Sequence, residues 1–468
     1  HTLSNMYCAY NYPETTYSGL FGINFGIIKN LNVKDAIVGD GKTGKSAGVI
    51  TGFNGGLIEC CSVIGGKVDI VWDSFFLTYA GGIAGTNGYV FNNGPDFSEL
   101  TAEGGTISRC SSTAEISVKF DQVIFSKINN ILGKEDIKSE FYFAAAGGLV
   151  GATYGGTIQN CYATGKVHSN MIVSLPPSDS QHNLKFIIND IDNSYSVAGG
   201  LIGMVLTNGF FVNPTGDILL QTNYIVETTP LVTKIINCFA TGEVTAENTD
   251  STKAIASGFL GFAKNIANPA TSVNYEILGG KLNAPSYPVE ITNSYFNTEL
   301  TGRTNGFKGS ASIAGVTGLT TAQMQDKSNF IGWDFDNIWF AISNTNGEFP
   351  LLHANYSQLD INIEGEGSSD LANQTIVKNG DKLTITFTPK IGWKLQSVTI
   401  DGEEIEIVNN SITISTILAS HKINVKFSEI PVEIPEIPDT ASGLVIIVLL
   451  VILSGAAVLI LKKRQAVK

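Results

Sequence analysis

Ala146-Gly-Gly-Leu-Val-Gly151, followed by Gly155-Gly-Thr-Ile-Gln-Asn-Cys-Tyr-Ala-Thr-Gly-Lys-Val167, decides the fold of this chain. The first half recurs as Ser18-Gly-Leu-Phe-Gly22, Ala47-Gly-Val-Ile-Thr-Gly52, Ala80-Gly-Gly-Ile-Ala-Gly85, Ala198-Gly-Gly-Leu-Ile-Gly203 and Ser257-Gly-Phe-Leu-Gly261. The second half recurs as Ile28-Lys-Asn-Leu31, Ile58-Glu-Cys-Cys61, Ile107-Ser-Arg-Cys110, Ile235-Ile-Asn-Cys-Phe-Ala-Thr-Gly-Glu-Val244 and Ile291-Thr-Asn-Ser294. A unit this short cannot bury its own apolar face, whereas stacked copies bury a continuous one. The reading is an all-β chain built on a right-handed, β-helix-like solenoid. Side chains alternate along a strand, yet Ile158 and Cys161 are an odd step apart. Both face inward only if the chain bends between them, and asparagine tolerates the left-handed conformation such a bend needs. Asn30, Asn160, Asn237 and Asn293 are therefore expected to stack as a row at the bend. Beyond it, Cys161 and Ala163 should face in and Tyr162 and Thr164 out. Cys61, Cys110, Cys161 and Cys238 share one repeat position, which Leu31 and Ser294 fill in the outer copies. Interchange with Leu and Ser points to a structural ladder of reduced, buried thiols rather than obligatory disulfides.

These repeats resemble the GLUG motif of large bacterial surface proteins, over roughly residues 1–300. The segment that follows is similar to the usual close of such arrays: Gly318-Leu-Thr-Thr-Ala-Gln-Met324, Gly332-Trp-Asp-Phe335, Ile338-Trp339 and Phe349-Pro-Leu-Leu352. Thr320 and Gln323 have the spacing of a capping box for one short helix. Trp333, Phe335 and Trp339 are expected to cover the last open rung, since an uncovered end is an unpaired sheet edge. The organisation read from the chain is a solenoid over 1–303, truncated at its N-terminus, and a C-terminal cap over 304–355. Insertions at 86–103, 204–233 and 262–290 separate the two halves of several repeats and should form loops, the usual place for binding surfaces.

Composition narrows the function. The chain has 468 residues, net charge −13 and 50 glycines. Without a basic patch, nucleic acid is not an expected partner. No cofactor or metal is expected either, because His1, His168, His182, His353 and His421 are scattered and none opens a His-Glu-x-x-His helix. GLUG arrays also occur in proteins resembling the immunoglobulin A zinc peptidases, and that catalytic domain is not visible here. Asp190-Ile-Asp192 and Asp334-Phe-Asp336 pair carboxylates on one strand face, as β-helix carbohydrate enzymes do, but such pairs are common on solvated strands. No catalytic residue is assigned. The alternative is a fragment of a larger surface enzyme, either a GLUG-containing zinc peptidase or a β-helix carbohydrate-active enzyme.

Residues 356–428 change character. Asp360-Ile-Asn-Ile363, Lys382-Leu-Thr-Ile-Thr-Phe-Thr388, Ser397-Val-Thr-Ile400, Ser411-Ile-Thr-Ile414 and Lys422-Ile-Asn-Val-Lys-Phe427 alternate cleanly. They suit a small antiparallel β module. Phe387-Thr-Pro-Lys-Ile-Gly-Trp-Lys-Leu395, Asp401-Gly402 and His421-Lys-Ile-Asn-Val-Lys-Phe427 resemble internalin-type B repeats, which implies a stalk spacer. A Pro-rich linker at 429–437 leads to a sorting region at 438–468. Residues 444–461 carry no charge and are long enough for a single transmembrane helix. Lys462, Lys463 and Arg464 follow, placing the C-terminus in the cytoplasm and the rest outside. Ile437-Pro438-Asp439-Thr440-Ala441 resembles the Gram-positive Leu-Pro-x-Thr-Gly sorting signal, departing from it at Ile437 and Ala441. That resemblance implies sortase and peptidoglycan as partners, with cleavage between Thr440 and Ala441. The expected protein is a non-enzymatic, extracellular adhesin or display stalk, anchored to cell wall or membrane, whose host, matrix or cell-surface ligand is not named by the sequence.

Overall fold

In a computed structural model, the described residues are 2–9, 17–43, 45–72, 77–92, 100–120, 142–171, 194–205, 232–263, 273–277, 280–284, 289–308, 314–341 and 349–431. The repeat read from the sequence becomes one rung of five strands: Tyr142–Gly147, Val150–Thr153, Gly156–Gln159, Tyr162–Ala163 and Val167–Met171. Each pairs in parallel with its counterpart in the rungs on either side. Ala80, Ala146 and Ala198 share one register, and Ile107, Ile158 and Ile235 another. We number the resulting sheets I to V in that order. Sheets I, II, III and V have six strands each and sheet IV has eight. Adjacent rungs are therefore about 4.8 Å apart, the ordinary strand spacing.

The glycines of the motif explain the cross-section. Sheets III, IV and V enclose the core, and sheets I and II fold into it as a tight arc. At the tip of the arc, a Cβ on Gly148 would meet Ala163 Cβ of sheet IV at 2.8 Å. Along its arms, a Cβ on Gly81 of sheet I would lie 2.6 Å from Gly151 N of sheet II. One on Gly151 would lie 2.6 Å from Ala80 N of sheet I. Real Cβ atoms do not approach so closely, so the two arms touch backbone to backbone and only glycine fits. Leu149 and Val150, between these glycines, point into the main core beside Ile158, Cys161, Ala163 and Val167, all buried.

The bend between sheets III and IV is made in the left-handed region, with φ of 56° at Asn30, 51° at Asn160, 52° at Asn237 and 47° at Asn293. Cys60 and Arg109 adopt it in the intervening rungs, at 53° and 52°. Arg109 donates to Glu59 Oε1 at 2.6 Å, and Lys29 Nζ lies 2.7 Å from Glu59 Oε2. These two cations hold the Glu59 carboxyl below its usual range. Its folded pKa is thus depressed. The stabilisation is complete above the unfolded value of about 4.3 and is lost as pH falls through the lower folded value. Glu59→Gln should lower Tm at pH 7 by an amount worth about 1 kcal/mol or less, since both cations are partly exposed. Thermal melts across pH should show the difference closing below about pH 4.

The segment after the last rung does two separate jobs. Val316–Leu319 extends sheet IV in parallel on Ser294–Asn297, and Phe307 bridges to Leu260 of sheet II. These close the end of the stack. The tryptophans do not, which corrects the expectation that they cover the last open rung. Instead the chain turns at the capping box Thr320/Gln323 into the helix Thr321–Met324 and runs back along the outer face of sheet IV. There Tyr162, Phe239 and Tyr295 pack with Met324, Phe330, Trp333, Trp339 and Leu352 in a second core. Tyr162 does face away from the solenoid interior, yet it is buried beneath this strap. Two further contacts fix the path: Trp333 Nε1 donates to Asn293 O at 2.8 Å, and Asn355 Nδ2 to Ser111 Oγ at 3.1 Å.

The chain divides into two units. The first is 1–357 with 377–381 and 417–419, and the second is formed by the rest from 358 on. In the second, a five-stranded sheet contains Gln374–Lys378, Tyr356–Glu364, His421–Glu429, Trp393–Ile400 and Glu403–Glu404, in that order. A three-stranded sheet orders Gly367–Ser369, Leu383–Pro389 and Ser411–Ile414. Leu359, Ile361, Ile385, Phe387, Val398, Ile412, Ile423, Val425 and Phe427 are buried. The module is not wholly antiparallel. Its first and last strands, Tyr356–Glu364 and His421–Glu429, pair in parallel, a non-local pairing that alternation along each strand does not reveal. Among the described residues no helix is long and apolar enough to cross a membrane. The span at 444–461, and residues Ile437, Pro438, Asp439, Thr440 and Ala441, lie outside the described residues.

Candidate functional site

The arc formed by sheets I and II leaves a crease between its arms. Its filling is separate from the main core and consists of Tyr79, Ala145, Ala152, Tyr154, Val197, Met204 and Ile255, with Tyr195 and Phe262 half-buried beside them. Toward the mouth the filling turns aromatic. The hydroxyls of Tyr79 and Tyr154 lie 3.2 Å apart, and the rings of Tyr195 and Phe262 stack with centroids 6.2 Å apart. In the first rungs Tyr17 meets Phe53 edge-on at 5.4 Å, and Phe25 meets the same ring at 6.0 Å. Burial pushes the Tyr17 phenol up to about 12 and raises Tyr79 and Tyr154 as well. All three remain neutral at physiological pH, so the filling of the crease carries no charge.

Both lips of the crease are where the repeat is interrupted. Between 72 and 77, 120 and 142, and 171 and 194, the chain leaves sheet V and returns at sheet I. Between 87 and 106, 205 and 233, and 263 and 289, it leaves sheet II and returns at sheet III. Two of these carry antiparallel hairpins, Tyr89–Asn92 with Leu100–Glu103 and Val273–Ile277 with Gly280–Ala284. Sheets I and II lie between the two seams, so these interruptions border the crease. Sheets III and IV follow one another with only the left-handed bend between them.

Residues 144–167 match the family model of the GLUG motif. The match spans this arc and the bend that follows, the parts of the rung whose geometry fixes residue identity most tightly. No curated protein matches the chain. Among solved structures, a candidate immunoglobulin A1 protease from Bacteroides ovatus is similar at 17% identity, over 76% of this chain and 75% of that one, with a TM-score of 0.36.

In successive rungs the cysteines form one column. Cys61, Cys110, Cys161 and Cys238 are free and buried. Cys61 N–H donates to Cys110 Sγ, and Cys110 N–H to Cys161 Sγ, each at 3.4 Å; Cys238 N–H donates to Ser294 Oγ at 3.3 Å. Each thiol also donates to the carbonyl two residues before it, at 3.1–3.3 Å. Burial raises the Cys110 and Cys161 thiols, and for Cys61 the hydrogen bond with Cys110 comes first. Cys60, at the bend, is half-buried, whereas Cys8 is buried. Alkylation of the folded protein at pH 8, read by mass spectrometry, should therefore modify Cys60 well before any other cysteine. Equal labelling of the ladder would contradict the buried column.

The asparagines at the bend form a weaker row. Asn237 Nδ2 donates to Asn160 Oδ1 at 3.4 Å, and Asn237 Oδ1 is buried without a partner. A stronger ladder runs at the corner between sheets II and III, which the sequence reading missed. Asn24 Nδ2 donates to Asn54 Oδ1 and Asn54 Nδ2 to Asn87 Oδ1, both at 2.8 Å; Asn87 Nδ2 ends the chain on Gly105 O at 3.1 Å. Its signal was present as a Gly-x-Asn closing each early arc: Gly22-Ile-Asn24, Gly52-Phe-Asn54 and Gly85-Thr-Asn87. Among the described residues no group of His, Cys, Asp and Glu could hold a metal ion. Asp334 is a turn residue, its Oδ1 accepting from the backbone of Asp336 and Asn337 at 3.0 and 2.9 Å. The pair Asp190/Asp192 lies outside the described residues.

Proposed function

We propose that the chain is a non-enzymatic cell-surface protein, an adhesin or display stalk, whose ligand is met along the lips of the crease. The observation that carries this reading is the placement of the long interruptions at the two seams flanking sheets I and II. A rung repeat whose interruptions between rungs gather beside one crease separates scaffold from variable surface. The second unit serves as a spacer. Ile437-Pro438-Asp439-Thr440-Ala441 and the apolar stretch 444–461 tether it, through sortase to peptidoglycan or directly in the membrane. The ligand is a host, matrix or neighbouring-cell surface. Deleting 206–231 and joining the strands Ile202–Val205 and Thr233–Ile236 should reduce attachment of displaying cells at least tenfold, with thermal stability nearly unchanged. Attachment equal to the parent on every surface tested would overturn the reading.

A further inference from the structure

The strap along sheet IV and the parallel strands of the second unit are loaded in opposite ways when the chain is pulled. We propose that the strap is a tension-released clasp, which yields before either the solenoid or the second unit. It starts at the last rung, where Val316–Leu319 joins Ser294–Asn297, and runs back to the rung of Ser111. A pull on residue 357 against the solenoid therefore reaches the Asn355–Ser111 contact first. It then meets Trp339 against Tyr162 and Phe239, at centroid distances of 6.2 and 6.0 Å. Last come Trp333 against Asn293 and the Ile331 N–H donated to the Tyr295 hydroxyl at 2.9 Å. A segment folded back on its support and pulled from its free end is peeled, so its contacts carry the load one after another.

The second unit is built the other way. Tyr356–Glu364 and His421–Glu429 lie side by side in parallel, Leu359 opposite His421 and Glu364 opposite Lys426. Force entering at the end of the last strand and leaving at the start of the first slides one along the other. All of their ladder bonds then resist together. The solenoid rungs are held on five sheets at once. The strap is held to its support by side chains and a few single hydrogen bonds. Its only ladder among the described residues, Trp339–Phe340 with Leu351–Leu352, is internal to it. The polar end of the clasp is also locally reinforced. Asn379 N–H donates to Asn355 O at 3.0 Å, and Asn379 Nδ2 to Ala354 O at 3.2 Å.

Optical-tweezer pulling of the chain between handles at residues 2 and 431 tests the clasp without depending on any ligand or anchor. The expected first event lengthens the chain by about 13 nm, the extended length of 320–357 at roughly 3.4 Å per residue. The second unit would give about 25 nm on the same scale. Trp339→Ala should abolish the first event or at least halve its force, leaving the second-unit event where it was. Asn355→Ala, which removes the buried hydrogen bond to Ser111, should lower the force while preserving the length. A first event of about 25 nm, loss of solenoid rungs before the strap, or unchanged force in both variants would overturn the proposal.

Discussion

Gly151→Ala should destabilise the solenoid by about 3 kcal/mol or more, at or beyond the top of the range for overpacked cores. The reason lies in what a methyl group would meet. Its carbon would stand 2.6 Å from Ala80 N, 2.6 Å from Gly85 O and 2.9 Å from Ala80 C, all of them backbone atoms. A crowded side chain can change rotamer, but a strand of sheet I paired on both sides cannot move without breaking its ladder. Alanine is otherwise acceptable at this position, since Gly151 is not among the residues with positive φ. The effect is steric rather than conformational. Because each rung contacts chiefly its neighbours, damage should centre on the rungs of Gly85, Gly151 and Gly203. Hydrogen exchange should show those arcs opening first, together with a Tm drop of several degrees. Gly26→Ala is the control: its nearest atom would be Asn24 Oδ1 at 3.9 Å, and a change within about 0.5 kcal/mol is expected. If the two variants melt alike, the arms of the arc are not in backbone contact.

Why glycine recurs was not readable from the repeat. The sequence shows Gly-Gly-Leu-Val-Gly returning, and periodicity alone then argues for stacking. Cross-section is another matter, because it depends on which glycines meet each other through space. Gly81 faces Gly151 across rungs, and no spacing within one rung encodes that pairing. The bend was legible because an odd step between inward residues requires it and Asn30, Asn160, Asn237 and Asn293 occupy it. Cys60 and Arg109 in the same conformation show that the requirement is for the geometry rather than for an amide. The crease escaped for a related reason. Tyr79 and Tyr154 lie 75 positions apart, and only the arc brings their hydroxyls together. Alternation also assigned Tyr162 to the outside correctly, but says nothing of what covers an outside face.

That cover supplies the second large effect. Phe239→Ala should cost about 3–5 kcal/mol, the usual range for a fully buried phenylalanine. Phe239 is 0% exposed, and its ring lies 4.9 Å from Tyr162 at an interplanar angle of 7°. It also touches Trp333, Trp339 and Phe349 at 6.1, 6.0 and 6.3 Å. These partners come from sheet IV on one side and the strap on the other, so the ring is the centre of the second core. Its neighbours along the chain, Cys238 and Ala240, point the opposite way into the main core. Truncation therefore leaves the stacked Ile158, Ile235 and cysteine columns intact while emptying the space under the strap. Amide exchange should rise over 320–341 and 349–357, and the environment of Trp333 and Trp339 should become more polar in fluorescence. Amides of sheets III and V should keep their protection. Phe259→Ala gives the contrast, because that equally buried ring belongs to the main core and its loss should loosen the last rungs themselves. Were both substitutions to open the same amides, the strap and the solenoid would be a single cooperative body, and the separation of the two cores would have no thermodynamic consequence.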